Sequence, residues 1–306
     1  MLAVIILAVV LYGLVPVAGA FIERRKWRFF RRRFHQLIRT PDLKYADSIK
    51  NELAGDYHLY GFLESTNRDN SIWIKNENLT VKANLETANI YIIPGTGGID
   101  NPFVFDPDEV PQKINWKRKS HLIRESKVFA GGSLAARDNR LVFSSEPNRP
   151  LFVIFYEGSE KDLSIRAVRA GRHNNEYFNF LTPYAFILGA FSQIIIAITN
   201  LPRPTHRKEF IAALIALFTP LLPWIPPGIL FSIIYRRLWI QARMYRARRD
   251  LAKYPIPELV IDGNPENLVR RYTWKAYMLE IISWILLLCG IGVNILFIVL
   301  VILILQ

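Results

Sequence analysis

The chain has 306 residues, 51% hydrophobic and 21% charged, with a formal net charge of +13 and a single cysteine. One cysteine excludes an internal disulfide framework and any zinc site built from several thiolates. The basic excess would suit a polyanionic partner, yet residues 22–39 hold eight basic and one acidic side chain, residues 236–276 hold ten and four, and residues 40–176 hold 18 and 19. Residues 40–176 form the only stretch large enough to fold outside a membrane, and their balance lacks the electrostatic footprint of a nucleic-acid binder; no nucleic-acid partner is expected.

In chain order, residues 1–22 (MLAVIILAVVLYGLVPVAGAFI) form an apolar run near the length of about 20 residues that crosses a bilayer as helix. Their length and the A-G-A near their end also suit a secretory leader, but such a leader carries its positive charge before the apolar core, and here the charge follows it. The run is therefore expected to be an anchor with its N-terminus outside and its basic end in the cytoplasm. Residues 23–39 form that basic juxtamembrane arm, with Arg24, Arg25, Lys26, Arg28, Arg31, Arg32 and Arg33 expected to meet lipid headgroups. Trp27, Phe29, Phe30 and Phe34 lie among these cations, and the pattern predicts rings held at headgroup level.

Residues 40–176 read as a cytoplasmic β-rich domain. YHLYGFLE, SIWIK, LTVKANL, NIYII, VFAGGSLA, RLVFS and LFVIFY are short aliphatic and aromatic runs separated by polar turns such as NRDN, NEN, GTGG, ARDN and EPNRP. YADSIKNEL is the only helix expected there. Gly61, Leu63 and Arg68-Asp69-Asn70 before SIWI are repeated in Gly132, Leu134 and Arg137-Asp138-Asn139 before RLVF, so two hairpins share one construction. A small OB-like barrel or half-barrel is expected.

The order VFAGGSLAARDNRLVF, NRPLFVIFYEGSEKDL, a dozen polar residues and then LTPYAFILGAF resembles the GIDE, or BAM, domain of membrane-anchored ubiquitin ligases and of bacterial membrane proteins. The resemblance spans residues 1–195 in order and spacing. It implies a membrane-adjacent β domain, without ligase activity: a RING needs many Cys and His, and the one cysteine, Cys289, lies in the last apolar run.

Three further apolar runs follow, at residues 180–199, 210–235 and 281–305. The third of the four, residues 210–235, contains Pro220, Pro223, Pro226 and Pro227, which forbid one straight helix. The fourth carries no charge. Residues 236–279 are read as a second basic cytoplasmic loop that begins as a helix, RRLWIQARMYRARRDLAKYP, along the membrane; Arg236, Arg237, Arg243, Arg246, Arg248 and Arg249 are its expected headgroup contacts. ELVIDG could add a strand to the β domain. The whole is a multi-pass α-helical membrane protein with about four spans and a small mainly-β domain, expected in a bacterial inner membrane with both termini outside.

Candidate chemistry is sparse. Gln193, Glu280 and Asn294 are the polar groups of a possible intramembrane site, with Ser192 and Ser283 beside them. His35, His58, His121, His173 and His206 are scattered, PGTGGID lacks the Lys and Ser/Thr of a phosphate loop, and FDPDE reads as a solvated loop. No metal site, cofactor or catalytic set is expected. The expected role is a non-enzymatic scaffold, sensor or subunit of a membrane complex, with anionic lipids and a membrane or cytosolic protein as partners. Two alternatives are a small-solute or lipid transporter using the broken third span, and a lipid-acting enzyme at the membrane surface.

Overall fold

The computed structural model describes residues 2–45, 54–67, 69–77, 79–95, 111–114, 126–137, 140–146, 149–172, 176–201, 207–224, 226–253 and 264–304. Most of YADSIKNEL, the FDPDE and ELVIDG segments, the end of PGTGGID, Asn78, the centre of the second hairpin turn, and His121, His173 and His206 lie outside the described residues. The chain forms two compact units. One comprises Met1–Lys26, Asn174–Arg249 and Glu266–Gln306, the other Trp27–His173 and Asp250–Pro265.

The first unit is helical. Helix α1 (Leu2–Val9) passes through a π-helical turn, Val10–Leu14, into α2 (Val15–Ile38), whose residues beyond Lys26 belong to the other unit. Helix α4 (Thr182–Asn200), α5 (Arg207–Phe218), a 3-10 turn (Thr219–Trp224), α6 (Gly228–Lys253) and α7 (Pro265–Ile304) follow α3, which lies in the second unit (Glu160–Arg169). Val4, Ala197, Ala213 and Ala216 pack together, and these small side chains let α1, α4 and α5 approach closely. The outer faces are apolar: Ile6, Phe191 and Leu288 are 53%, 64% and 64% exposed.

Among the described residues three helices are long and apolar enough to cross a bilayer, Leu2–Ile38, Thr182–Asn200 and Pro265–Phe297. A fourth is added if Lys208–Pro223 and Gly228–Lys253, bent by 47°, count as one broken span. The stretch expected as a loop at 236–279 is helical up to Lys253 and again from Pro265, because α7 starts 16 residues before the apolar run at 281.

The second unit is built on a β-barrel. Strands β1 (Ala54–Thr66), β2 (Ser71–Asn76), β3 (Leu79–Asn84), β4 (Asn89–Ile93), β5 (Gln112–Ile114), β6 (Lys127–Arg137), β7 (Arg140–Ser144) and β8 (Phe152–Tyr156) lie in the order β1-β2-β3-β7-β6-β8-β4-β5. An additional antiparallel β1–β6 pairing, from Ala54 opposite Ala135 to Phe62 opposite Lys127, closes β1, β2, β3, β7 and β6 into a ring. Within that ring β3 and β7 run parallel. The two hairpins of shared construction are thus neighbours, joined through their first strands. The first turns at Asn70, whose φ of 57° is one Asn tolerates.

β8 explains the continuous apolar run FVIFY. Val153 and Phe155 point into the barrel core with Leu59, Ile74 and Phe143, while Phe152, Ile154 and Tyr156 face a second cluster on the other side. A strand covered on both faces has no polar alternation. The second cluster is completed by Trp27, Phe30, Phe34 and Leu37 of α2 and by Leu163, Ala167 and Ala170 at α3. The α2 residues stand three, four and three apart, one face of a helix. Trp27, Phe30 and Phe34 are 5%, 0% and 0% exposed, so these rings are domain core, not headgroup anchors; only Phe29 of the four is exposed. The expectation failed because cations between aromatics mark an amphipathic helix as readily as an interfacial arm, and only the presence of a receiving sheet separates the two.

Helix α3 was not expected. Its sequence, EKDLSIRAVR, is polar, but Ser159 and Asp162 form a reciprocal capping box at its start: the Ser159 hydroxyl accepts from the Asp162 amide at 3.1 Å, and the Asp162 carboxylate accepts from the Ser159 amide at 3.0 Å. Arg166, 2% exposed, reaches out of it to donate to the carbonyls of Gly95 (2.7 Å) and Glu157 (2.9 Å).

Candidate functional site

The proline-rich break decides what the third apolar run offers. An α-helical carbonyl accepts from the amide four residues on, so Pro226 and Pro227 leave Leu222 and Pro223 without their regular donors. Both carbonyls are taken by side chains. The Asn294 Nδ2 donates to the Leu222 carbonyl, and the Ser232 hydroxyl to that of Pro223 at 2.6 Å. Asn294 Oδ1 accepts from the amide of Gly228 at 3.2 Å, one of the orphan donors at the start of α6. Gly228 has no Cβ because that position would fall on the Asn294 amide. The 1% exposed Asn294 is therefore a polar clamp on a broken backbone, and the Leu222 and Pro223 carbonyls are engaged by side chains of the helical unit.

A similar repair occurs nearer the chain start. Pro16 denies the Tyr12 carbonyl its α-helical donor, and the Tyr177 hydroxyl donates to that carbonyl. Asn179 Nδ2 donates to the Pro16 carbonyl at 2.8 Å. Gln193 is fully buried and reaches the Val4 carbonyl at 3.4 Å, while its Oε1 and the Tyr12 hydroxyl have no partner among the described residues. The three residues of the expected intramembrane site are not assembled: Gln193 meets α1, Asn294 meets the proline break, and Glu280 belongs to a charged cluster.

That cluster joins five charged residues of the helical unit. Glu176 Oε2 accepts from Arg24 Nε and, at 2.9 Å, from Arg243 Nη2. Glu280 accepts from Arg246 Nη2. Arg243 also stacks on Trp239, 4.6 Å from the ring centroid, and lies within electrostatic range of Arg24, Arg246 and Glu280. Glu176 and Arg243 are 7% and 6% exposed, whereas the Arg24 and Arg246 side chains retain 32% and 30% exposure. Hydrogen bonds from two guanidinium groups offset the desolvation of this buried carboxylate.

The cations expected at headgroups thus divide. Arg25, Lys26, Arg28, Arg32, Arg236 and Arg237 are exposed. Arg243 is buried, a correction to its expected surface role, and Arg24 and Arg246 are ion-paired. Arg31 donates to the Ala170 carbonyl, Arg33 and Arg249 are half-buried, and Arg248 lies over the Tyr245 ring at 5.4 Å. Glu176, Tyr177 and Asn179 were missed by sequence reading. Their signal was the polar cluster EYFN just ahead of an apolar run, a place where polar groups are usual and so carry no weight alone.

In the β unit, Arg172 pairs with Asp250, and His58 is 7% exposed with Nδ1 3.3 Å from the Thr40 hydroxyl. Among the described residues no group of three His, Cys, Asp or Glu is placed to hold a metal ion. Comparison of the chain with family models, curated proteins and solved structures finds no match.

Proposed function

We propose that the chain is an integral membrane protein in which an OB-like β domain on the cytoplasmic side serves as a scaffold or sensing module within a membrane complex. The observation that carries this reading is the division of labour between the units. One has apolar outer faces and internally satisfied backbone breaks, as lipid requires; the other has two closed apolar clusters and comes from a segment of balanced charge. Five strands in a ring with one parallel pair support the OB-like description. The exposed cations Arg25, Arg28, Arg32, Arg236 and Arg237 flank apolar runs, which supports a cytoplasmic, anionic-lipid-facing assignment for that end.

The test is side-selective thiol labelling in intact cells, with Cys289→Ser as background and single cysteines at Thr87, an exposed turn residue of the β domain, and at Thr205. Reaction of Thr205→Cys alone with an impermeant reagent is expected. Reaction of Thr87→Cys would invert the topology. Native electrophoresis of detergent extracts should show a species larger than the chain, and a monomer at every detergent concentration would sink the complex-subunit role.

A further inference from the structure

The charged cluster of the helical unit does not close on itself. Its three guanidinium groups, Arg24, Arg243 and Arg246, face two carboxylates, Glu176 and Glu280. Each arginine carries five N–H donors in a planar fork, and the ion pairs use one nitrogen of each: Nε of Arg24, Nη2 of Arg243 and Nη2 of Arg246. Nη1 and Nη2 of Arg24, and Nε and Nη1 of Arg246, have no acceptor among the described residues. The two side chains that hold these donors are the ones about a third exposed, while Arg243 sits behind them against Trp239.

The cluster is one positive charge in excess, and the donors left over are the bidentate kind that matches the oxygens of a phosphate. Arg24, Glu176 and Glu280 each lie within a few residues of an apolar run, and Arg243 and Arg246 touch them. Headgroup depth follows if those runs are spans. Glu176 and Glu280 each engage guanidinium nitrogens of the cluster and so compete with a phosphate for those donors.

We infer that Arg24 and Arg246 hold the phosphate of one acidic phospholipid, with Arg243 supplying charge from behind. The inference rests on the membrane reading above. It differs from general attraction to an anionic surface in that it names a single site on ion-paired residues, not the exposed cations.

The experiment uses the full chain in uncharged detergent. Short-chain phosphatidylglycerol is titrated while tryptophan fluorescence is followed, with short-chain phosphatidylcholine and inorganic phosphate in parallel. Saturable binding of phosphatidylglycerol is expected, with the other two at least about tenfold weaker. Arg24→Gln and Arg246→Gln should each weaken it by about tenfold, the loss of one charge-assisted contact. Arg246→Lys, which keeps the ion pair and the fold but loses the fork, should weaken it several-fold, and Glu280→Gln, which releases Arg246, should strengthen it. Arg25→Gln and Arg236→Gln, at exposed positions, should change nothing.

Equal binding of the two lipids, or equal losses in the Arg25 and Arg246 variants, overturns the site. Inorganic phosphate binding as tightly as phosphatidylglycerol overturns the lipid as its occupant. Retention in membranes after alkaline carbonate extraction tests the membrane reading separately: failure of the titration with the chain retained rejects only the site, whereas release by carbonate rejects both.

Discussion

Asn294 and His58 show how single residues carry this structure. Asn294 satisfies one carbonyl and one amide that the proline break strands, so Asn294→Leu leaves both buried and unpaired. Each such group costs about 1–3 kcal/mol, and the variant should melt several degrees lower in detergent. Ser192→Ala, which removes only an exposed hydroxyl bonded to the Leu188 carbonyl of its own helix at 2.8 Å, should stay within about 0.5 kcal/mol of the parent. Equal melting of the two variants would show that the clamp does not stabilise the break.

His58 is buried between Tyr60 and Phe129, and that desolvation lowers its pKa below the ordinary value of about 6.5. The unfolded chain then binds the proton more readily than the folded one, so the stability from a neutral His58 is complete above about pH 6.5 and drains away as pH falls below it. The difference in melting temperature between the parent and His58→Gln should narrow from pH 7 to pH 5. A gap independent of pH would mean that folding does not lower the His58 pKa.

At the scale of elements, α2 carries the sharpest contrast. Phe30 is fully buried against Tyr91 and Phe152, with ring centroids at 4.6 and 5.3 Å, while its neighbour Phe29 is 48% exposed. Phe30→Ala should cost about 3–5 kcal/mol and Phe29→Ala less than about 0.5 kcal/mol, measured by urea titration of the near-ultraviolet circular dichroism of the β unit. Comparable losses would return both rings to the membrane surface. Gly171 belongs to the same packing: its φ is 69°, and a Cβ there would enter the Trp27 ring. α3 depends on its capping box for a start, since a stretch with five charged residues in ten has little intrinsic apolar signal.

At the scale of the whole molecule, two units with separate cores should not unfold as one. Urea should abolish the near-ultraviolet signal of the β unit, including Trp27 and Trp73, at concentrations where the far-ultraviolet helical signal in detergent persists. Coincident transitions would reveal a single cooperative unit.

The sequence by itself determined the alternation of units and most strands. NIYII and RLVFS are β4 and β7 to the residue, because aliphatic and aromatic runs bounded by turn residues allow little else. It also determined where the third run must break, since a proline removes its amide wherever it is placed. Tertiary structure alone decided which groups repair those breaks, for Asn294 lies 67 residues beyond Pro227 and nothing local links them. It decided likewise that Trp27, Phe30 and Phe34 are core, that a polar decapeptide is a buried helix, and that Glu176 joins arginines at positions 24 and 243. Local pattern reports the period of a segment and the donors it lacks. Which distant surface completes them depends on closing the chain, and that information is distributed over every element that must pack first.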